Sequence, residues 1–453
     1  MPAKVIQYKK NRKVKLFVMA EVRPLRGIRY VQDTVGDLAQ VLIPPYDVIN
    51  QEAQERYYAR SPYNSIRLEL GKQQPSDNVL NNVYTRAAAT FSEWRMQNVL
   101  RQESVPCYYL YQQVFTHDSQ TYTRTSLLAR VRLEPWSTRV VLPHEHTLAK
   151  AKNDRLRLLE ACAANFSPIM SLYDDPQGRM RRLLNQYSAQ AEVRAVDEVG
   201  EQHLLHPITD AQQIALIEDF FAQRQLYIAD GHHRYETALA YRDGVREQRH
   251  ELSSQDAVNF VLMALTDIDD PGLLVLPTHR MLFGLSEQAL AVLSEQRLGQ
   301  YFTLKQLESG ATDEQVLTQL AQAEREQSAF VLATHEYRWL LLLNEQGRRR
   351  MELSEHSPAW NRLDVAVAHT LVLEELLGLR EQDMTAGTYV HYTRDAHQAL
   401  QDVQTGKVQL ALLLNATRVQ QICDVSQADD RMPQKSTYFY PKLITGLVLN
   451  PLW

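Results

Sequence analysis

The sequence predicts an α/β or α+β protein built from mixed sheets and helices. Short apolar runs of strand character alternate with segments of helical periodicity, and turn residues separate them along the chain. The length of 453 residues, with 44% hydrophobic and 23% charged residues, is typical of a globular protein that is too large for one simple core. The sequence therefore indicates two or three packed units.

The bulk composition excludes several classes of protein. The net charge of -5 gives no overall attraction to nucleic acid or to an acidic membrane surface. Three cysteines, Cys107, Cys162 and Cys423, lie far apart and suit a reducing compartment. No apolar run approaches the ~20 residues that span a bilayer. We therefore expect a cytoplasmic protein with a small-molecule substrate, no nucleic-acid partner and no membrane association, and the sequence leaves the oligomeric state open.

The first half of the chain is predicted to begin with a basic extension and to continue as an N-terminal α/β region. Residues 1–19 form the extension, because they hold a basic stretch followed by too few apolar residues for a signal peptide. Pro44 and Pro45 fix an extended loop ahead of the next two residues. The predicted helices of region 20–200 cover 77–99 and 147–164, and its predicted strands cover 105–115 and 121–135.

The second half is predicted to hold two further α/β regions, 201–290 and 291–453. Residues 226–230 are predicted as a short buried strand and residues 257–267 as a central strand, because both are continuous apolar runs. The other predicted elements are a helix over 211–224, a helix that begins at 235, helices after 286, a hairpin over 329–346, a helix over 364–379 and a strand over 408–415.

The segment QLYIADGHHRYETALAY, residues 225–241, carries the strongest functional signal. It is a strand–turn–helix junction in which Gly231 can adopt positive φ and admit a backbone or a ligand at close range. The helix start offers unpaired amides to an anion, and Arg234 adds a planar fork suited to phosphate or carboxylate. His232 and His233 can donate hydrogen bonds or move protons near neutral pH.

Asp230, directly before the turn, has two alternative roles. As a functional residue it can bind a metal ion or accept the proton of a substrate hydroxyl. In the structural alternative it caps the helix and pairs with Arg234, and the histidines only fill the turn. Two adjacent histidines ahead of an arginine favour the functional interpretation.

Four motifs follow one another along the chain. They are IPPYDVI at 43–49, HEHTLAKAKNDRLRLL at 144–159, IADGHHRYETAL at 228–239 and MPQKSTYFYPK at 432–442. In this order they resemble a widespread bacterial and archaeal family that is catalogued as a domain of unknown function. The resemblance extends from about residue 20 to the C terminus, and it implies no activity by itself.

The turn ADGHHRYETA is also similar to the signature of the ParB/sulfiredoxin superfamily, in which a glycine-initiated turn and an arginine hold nucleotide phosphates. Here His232 stands where sulfiredoxins have a cysteine, which argues against sulfinic acid reduction. No helix-turn-helix or strongly basic segment accompanies the turn, which argues against DNA clamping of the ParB type. Free-serine kinases, which transfer a phosphoryl group from a nucleotide to an amino-acid hydroxyl, have the turn closest in character. The resemblance therefore implies a ParB/sulfiredoxin-like strand–turn–helix unit.

The motif PHEHTLAKAKNDR supplies further candidates. His144 or Glu145 is expected to act as a general base or to contact the substrate, Arg155 to bind phosphate and Asp154 to contact the substrate. His144 and His146 would share a face on a strand and suit a metal ion, but the family pattern has no fixed histidine at the third position. We therefore predict no metal site here. The structural alternative is a charged, capped helix on the surface.

The C-terminal motif MPQKSTYFYPK combines cations and hydroxyls in one short segment. Lys435, Ser436 and Thr437 are expected to cradle phosphate, and Lys442 is expected to contact the substrate. Without GxxxxGK the segment is not a Walker loop. The structural alternative is a C-terminal strand that packs on the core.

The loop PPYDVI supplies two more candidate residues. Tyr46 and Asp47 are expected to make polar contacts to the substrate. The structural alternative is a rigid corner fixed by the two prolines.

The motifs as a set favour an enzyme of the small-molecule kinase type. The predicted reaction transfers a phosphoryl group from a nucleotide, ATP or ADP with Mg²⁺, to a small hydroxylated metabolite such as serine or a related amino acid. Two alternatives are a non-catalytic nucleotide- or metabolite-binding regulator and a hydrolase of phosphoesters or nucleotides. The motifs GxGxxG, GxSxG, HExxH and CxxC do not occur, so dinucleotide oxidoreductases, α/β-hydrolases and zincins have no support.

Overall fold

The computed structural model describes residues 19–147, 149–188, 190–249, 252–308, 310–380, 383–384 and 387–453, and for residues 149–151 it describes the backbone alone. The predicted basic extension, residues 1–19, lies outside the described residues except for its last member. The described chain forms two large β-sheets flanked by helices. The α/β class with mixed sheets is therefore confirmed.

The strands fall into two groups along the chain. Those up to residue 267 are β1 (Val22–Arg23), β2 (Ile28–Tyr30), β3 (Leu100–Gln102), β4 (Tyr108–His117), β5 (Gln120–Arg132), β6 (Val141–Leu142), β7 (Ala164–Asn165), β8 (Ile169–Tyr173), β9 (Val193–Val196), β10 (Gln202–Ile208), β11 (Leu226–Asp230) and β12 (Phe260–Asp267). The later strands are β13 (Leu274–Val275), β14 (His279–Leu282), β15 (Phe302–Gln306), β16 (Ala329–Thr334), β17 (Arg338–Leu343), β18 (Val390–Thr393), β19 (Leu410–Leu414), β20 (Phe439–Tyr440) and β21 (Asn450–Pro451).

The helices alternate with these strands. They are α1 (Gln32–Val35), α2 (Gln51–Arg60), α3 (Ile66–Glu69), α4 (Val83–Met96), α5 (Ala149–Cys162), α6 (Arg179–Asn185), α7 (Ala211–Phe221), α8 (His232–Gln248), α9 (Glu287–Ala291), α10 (Glu295–Leu298), α11 (Asp313–Glu324), α12 (Glu345–Glu352), α13 (Asp364–Val367), α14 (Ala396–Gln404) and α15 (Val419–Gln427). A π-helical segment, Ala368–Leu376, continues α13. Short 3-10 turns cover Leu38–Gln40, Tyr46–Val48, Trp136–Thr138, Ala257–Asn259 and Trp360–Arg362.

The larger sheet has the strand order β6-β11-β8-β12-β5-β4-β10-β9, and β1 pairs with β5 beside this path. Among its described strands, β6 pairs with β11 and β8 pairs with β12 in parallel, and the other pairs are antiparallel. All eight residues of β12 are buried, as a continuous apolar run predicts for a central strand. The mixed pairing matters because it decides which chain segments meet at each edge of the sheet.

The second sheet is antiparallel, with the order β15-β17-β16-β19-β14-β18. The larger sheet includes strands on both sides of residue 200, and the second sheet begins at β14. The division of the chain into regions 1–19, 20–200, 201–290 and 291–453 stays a prediction.

The hydrophobic core is continuous between the two sheets. Alternate residues of β5 point to opposite faces, so that Leu127 packs towards α7 and α8 while Leu128 packs towards the second sheet. The shared core also holds Leu332 and Leu412 from the second sheet. The outer face of that sheet is covered by α11 and α14.

Most of the predicted elements are present, and the differences have local causes. The predicted hairpin over 329–346 is confirmed as β16 and β17. Helix α8 begins at His232 and not at 235, because Gly231 adopts a left-handed conformation as its N-cap. Strand β15 was not predicted, because only one of its residues is buried at the edge of the sheet. Within the described ranges, no helix is both long and apolar enough to cross a bilayer.

A buried arginine fixes the C-terminal motif to the larger sheet. Arg124 on β5 is 0% exposed, and its guanidinium donates hydrogen bonds to the side-chain oxygen of Gln113 and to the carbonyl of Pro441 at 2.7 Å. The Gln113 amide in turn donates to the carbonyl of Lys442 at 3.1 Å. Two polar side chains of the sheet therefore hold the backbone of this motif in place.

We expect Arg124→Met to lower the free energy of unfolding by about 2–4 kcal/mol, because several buried acceptors lose their donor. Urea denaturation followed by fluorescence and circular dichroism measures the effect. Arg194→Met, at an exposed position of β9, is the matched control and should leave the free energy of unfolding unchanged. Equal effects of the two substitutions would contradict the role of Arg124.

Candidate functional site

The parallel pairing of β6 with β11 brings two of the sequence motifs together. Leu226 lies opposite Val141, and Tyr227 lies opposite Leu142. Because parallel strands leave a sheet at the same edge, the segment that follows β6 and the turn that follows β11 meet there. His144 and Glu145 consequently lie beside the turn that begins α8.

Gly231 forms that turn with φ 99° and ψ 28°, a conformation that side-chain-bearing residues rarely adopt. A Cβ atom at this position would lie 3.0 Å from Nε of Arg234. Gly231 offers no side chain to cap the first turn of α8, and the carboxylate oxygens of Asp230 accept hydrogen bonds from Arg234 and Lys442 instead. The structural alternative that Asp230 caps the helix is therefore wrong, whereas its predicted pairing with Arg234 is confirmed.

Asp230 is the centre of the site because its carboxylate forms ion pairs with two basic side chains. Its Oδ2 accepts a hydrogen bond from Nη2 of Arg234 at 2.7 Å, and its Oδ1 accepts one from Nζ of Lys442. Arg234 also donates to the carbonyl of Pro168 at 2.6 Å. Burial acts to raise the pKa of Asp230, but Lys442 and Arg234 together hold it well below its ordinary value. One carboxylate between two cations leaves a net positive charge at the start of α8.

His144 and His232 form a buried pair behind this charge cluster. The backbone N–H of His144 donates to Nε2 of His232 at 3.1 Å, and the two rings meet edge to face. Nδ1 of His144 lies 2.8 Å from the carbonyl of Ile228, and its Nε2 lies 3.1 Å from the hydroxyl of Thr437. Burial lowers the pKa of His144 to about 4 and the pKa of His232 well below its ordinary value. Both rings are therefore neutral near pH 7.

Glu145 is the carboxyl group of the site that titrates near neutral pH. Burial raises its pKa to about 7, although Lys435 and Lys442 act to lower it. Because Nε2 of His232 accepts a hydrogen bond, the neutral ring carries its proton on Nδ1, which lies 4.0 Å from Oε2 of Glu145. A carboxyl group with such a pKa can exchange protons with a substrate under physiological conditions.

The three residues 435–437 of the C-terminal motif, with the sequence KST, contribute to the site to different degrees. Lys435 is exposed and has a left-handed backbone conformation, and its charge acts on the pKa values of Glu145 and His233. The hydroxyl of Thr437 lies 3.1 Å from Nε2 of His144. Ser436 is buried, and its hydroxyl donates to the carbonyl of Pro433 within its own loop.

Arg155, predicted as a phosphate ligand, is buried among acceptors from the protein. Its Nη1 donates to the backbone and side chain of Glu69 at 2.9 and 3.2 Å, and its Nε and Nη2 donate to Asp154 at 2.8 and 2.5 Å. Asp154 also accepts a hydrogen bond from Tyr84 at 2.8 Å. The guanidinium lies over the ring of Tyr46, 4.2 Å from its centroid. These contacts fix the PPYDVI loop against α5.

The residues around Arg155 lie next to the cluster around Asp230. Arg155 and Arg234 line the same small cavity. Burial raises the pKa of Tyr46 to about 12, against the opposing charges of Arg234 and Arg155. Asp47 is exposed, and its charge acts on the pKa values of Lys442 and His233. Both candidates of the PPYDVI loop therefore lie within electrostatic reach of the turn.

His233 lies on the outer side of the turn and is half-buried. Burial lowers its pKa, and Glu236 opposes this effect most strongly. Glu236 accepts hydrogen bonds from Lys152 at 2.8 Å and from the hydroxyl of Thr147 at 2.5 Å. These contacts join the start of α8 to the start of α5.

The structure brings most of the predicted site residues together. The sequence analysis, however, missed several residues that belong to the site. Glu236 was missed although it lies three and four residues after the two histidines, a spacing that puts it on their helix face. Arg124 gave no signal, because it lies between threonines in a polar stretch of strand. His146 is exposed and lines a different cavity, and both ring nitrogens of His144 have partners, which argues against a metal ion between these two histidines.

Comparison with known proteins identifies the family. Residues 22–366 match the model described as "Protein of unknown function (DUF1015)". The chain belongs to the DUF1015 family. Among curated proteins, no match to this DUF1015 chain was found.

Solved structures show only a distant likeness to this DUF1015 protein. A conserved hypothetical protein from Pyrococcus furiosus has 13% identity and a TM-score of 0.32, over 67% of this chain and 88% of the other. A free serine kinase in complex with AMP has 13% identity and a TM-score of 0.33, over 66% and 83%. SbnI from Staphylococcus aureus, with a C-terminal truncation, has 12% identity and a TM-score of 0.34, over 72% and 87%. Structural similarity at this level does not support any conclusion about function.

We expect Gly231→Ala to destabilise the DUF1015 protein by about 1–2 kcal/mol, because alanine is strained in the left-handed conformation. The new methyl group should also displace Arg234. Gly244→Ala is the matched control on the same helix: it has open space around it, and alanine should stabilise the helix by up to about 1 kcal/mol. Thermal unfolding measures both, and a shift of the same sign in the two variants would contradict the assignment.

We expect Glu145→Gln to change the pH dependence of stability. The folded state binds the proton of Glu145 more tightly than the unfolded state, so the native carboxyl destabilises the fold increasingly as pH rises from about 4.5 through 7. The variant should therefore gain about 1–3 kcal/mol relative to the native protein between pH 5 and pH 8.

Urea unfolding at pH 5, 6, 7 and 8 measures this difference. Glu160→Gln, at an exposed position of α5, is the control and should show no such trend. If the difference in unfolding free energy between Glu145→Gln and the native protein stays constant with pH, the pKa of Glu145 is not raised in the folded state.

Proposed function

We propose that this protein is a phosphotransferase that moves a phosphoryl group from ATP or ADP, bound with Mg²⁺, to the hydroxyl of a small metabolite such as serine. The observation that carries the proposal is the convergence of Arg234, Lys442 and Glu145 at the start of α8, where the N-cap is a glycine. Two cations and a base of near-neutral pKa are the groups that phosphoryl transfer requires. They come from three sequence motifs that lie far apart in the chain.

The start of α8 is suited to the phosphates of the nucleotide. The helix dipole and the first-turn amides attract an anion, and the N-cap residue, Gly231, has no side chain that could compete with it. Arg234 and Lys442 add positive charge in excess of the single carboxylate of Asp230. Lys435 is exposed and can approach the outer phosphate oxygens. This arrangement neutralises the charge that develops during transfer.

Glu145 is suited to the role of general base. Its pKa of about 7 lets it accept the hydroxyl proton of the acceptor while the acceptor oxygen attacks the terminal phosphorus. The bond from that phosphorus to the nucleotide then breaks, and the shortened nucleotide leaves with the electron pair. Neutral His232 and His144 form a buried support for Glu145 and for the turn.

Mg²⁺ belongs to this proposal as part of the nucleotide substrate. Carboxylate oxygens are ligands that suit Mg²⁺. Asp230 is already neutralised by two cations, and Glu145 is needed as the base, so the exposed Asp47 fits this role better. When bound, Mg²⁺ would supply further neutralisation of the phosphate oxygens.

Arg234→Ala and Lys442→Met are each expected to weaken nucleotide binding at least tenfold, because each removes a charge-assisted hydrogen bond. Thermal stabilisation and calorimetry with ATP, ADP, CTP and GTP in the presence of Mg²⁺ measure binding. Arg246→Ala, later on the same helix, is the matched control and should bind as the native protein does. The proposal fails if no nucleotide binds, or if Arg234→Ala binds as well as Arg246→Ala.

Turnover separates the proposed reaction from its alternatives. Phosphorus NMR with Mg²⁺–nucleotide and serine or other hydroxyl acceptors should show a phosphorylated acceptor. Glu145→Gln should retain nucleotide binding and slow transfer by about 10²–10⁴-fold. Release of inorganic phosphate without any acceptor product would instead assign a hydrolase, and binding without product would assign a regulator.

A further inference from the structure

A second cluster of polar side chains lies in the hairpin formed by β9 and β10, apart from the turn that begins α8. Asp197 directly follows β9, Glu201 directly precedes β10, and His203 lies on β10 opposite Ala195. One donor atom from each of the three side chains lies within 4.8 Å of the other two. The hairpin register therefore brings an imidazole and two carboxylates to one point.

His203 has an unsatisfied nitrogen that faces this point. The side chain is 1% exposed, and its Nδ1 lies 2.8 Å from the hydroxyl of Tyr111. Its Nε2 is buried without a hydrogen-bond partner, and the nearest carboxylate oxygen, on Asp197, lies 3.5 Å away. A buried polar atom left in this state costs free energy unless something else binds it.

The two carboxylates form no ion pair with a described lysine or arginine, although the charge of Arg124 acts on Glu201. Among the described residues, only His203 lies within ion-pair distance of Asp197, and no lysine or arginine lies within that distance of Glu201. Glu201 is 8% exposed, and its carboxylate lies beside that of Asp197. Two neighbouring acids with little solvent are costly to ionise unless a positive charge compensates them.

We propose that Asp197, Glu201 and His203 bind a divalent transition-metal cation, with Zn²⁺ as its representative. One imidazole nitrogen and two carboxylate oxygens are a ligand set that Zn²⁺ and related cations accept, with bonds of about 2.1 Å and further positions for water. Mg²⁺ is disfavoured because it prefers oxygen ligands alone. Small rotations of the side chains bring the three donors onto one ion.

The surroundings of the cluster match those of protein metal sites. Metal-binding histidines commonly engage their second nitrogen in a hydrogen bond, as His203 does with Tyr111. The hydroxyl of Tyr440, in the C-terminal motif, lies close enough to Glu201 for the two groups to affect each other's pKa. A bound cation would therefore hold the hairpin and the C-terminal motif together. The inference is independent of the proposed phosphotransfer.

Calorimetry of the full-length, chelator-treated protein with ZnCl₂, MnCl₂ and MgCl₂ tests the site. We expect one Zn²⁺ per chain, a rise of several degrees in the unfolding temperature and no comparable binding of Mg²⁺. Visible absorption of the Co²⁺-loaded protein provides a second readout, because its d–d bands report nitrogen and oxygen ligands.

Glu201→Gln and His203→Ala should each weaken Zn²⁺ binding at least tenfold, and Tyr440→Phe should weaken it to a smaller degree. Glu201→Gln is nearly isosteric, so it tests the site even where His203→Ala fails to fold. His206→Ala, on the same strand, is the matched control and should bind Zn²⁺ as the native protein does. The site is refuted if Zn²⁺ does not bind, or if it binds equally well to Glu201→Gln.

Discussion

The hydrogen bonds of Arg124 to the backbone of the C-terminal motif connect features that are distant in the chain. Through Pro441 and Gln113 they fix the position of Lys442, which completes the ion-pair cluster around Asp230. The same motif carries Tyr440, which lies near Glu201 of the acidic hairpin. A guanidinium buried inside a sheet is unusual, and burial lowers its pKa. Its burial is explained by the hydrogen bonds that it donates to backbone carbonyls of the C-terminal motif.

The candidate site is organised by charge, and each part depends on the others. Asp230 stays ionised because two cations surround it, and those cations remain beside the start of α8 because Asp230 holds them. His144 and His232 stay neutral because they are buried, so they add no further positive charge. Among the described residues Glu145 has no such ion pair with a lysine or arginine, and burial raises its pKa to about 7. Two carboxyl groups of very different pKa, Asp230 and Glu145, thus lie beside the start of one helix.

Sequence patterns predicted the local features of this site and missed the long-range ones. The strand over 226–230 and its glycine turn follow from the order of residues, and the pairing of Asp230 with Arg234 follows from their spacing of four. Strand β6 has only two residues, too few for any periodicity, so the meeting of the motifs after β6 and β11 could not be inferred. The partnership with Lys442 depends on tertiary packing. Arg124 was indistinguishable from a solvent-facing residue of a polar strand.

The separation between Asp230 and Lys442 has a consequence for the biosynthesis of the protein. The two residues are 212 positions apart, and the ribosome adds the first long before the second. During most of that interval the nascent chain holds Asp230 and Arg234 without their third partner and without the backbone that Arg124 fixes. The ion-pair cluster around Asp230 can therefore be completed only after translation of the C-terminal motif. A truncated polypeptide would keep the glycine turn and still lack the completed cation cluster.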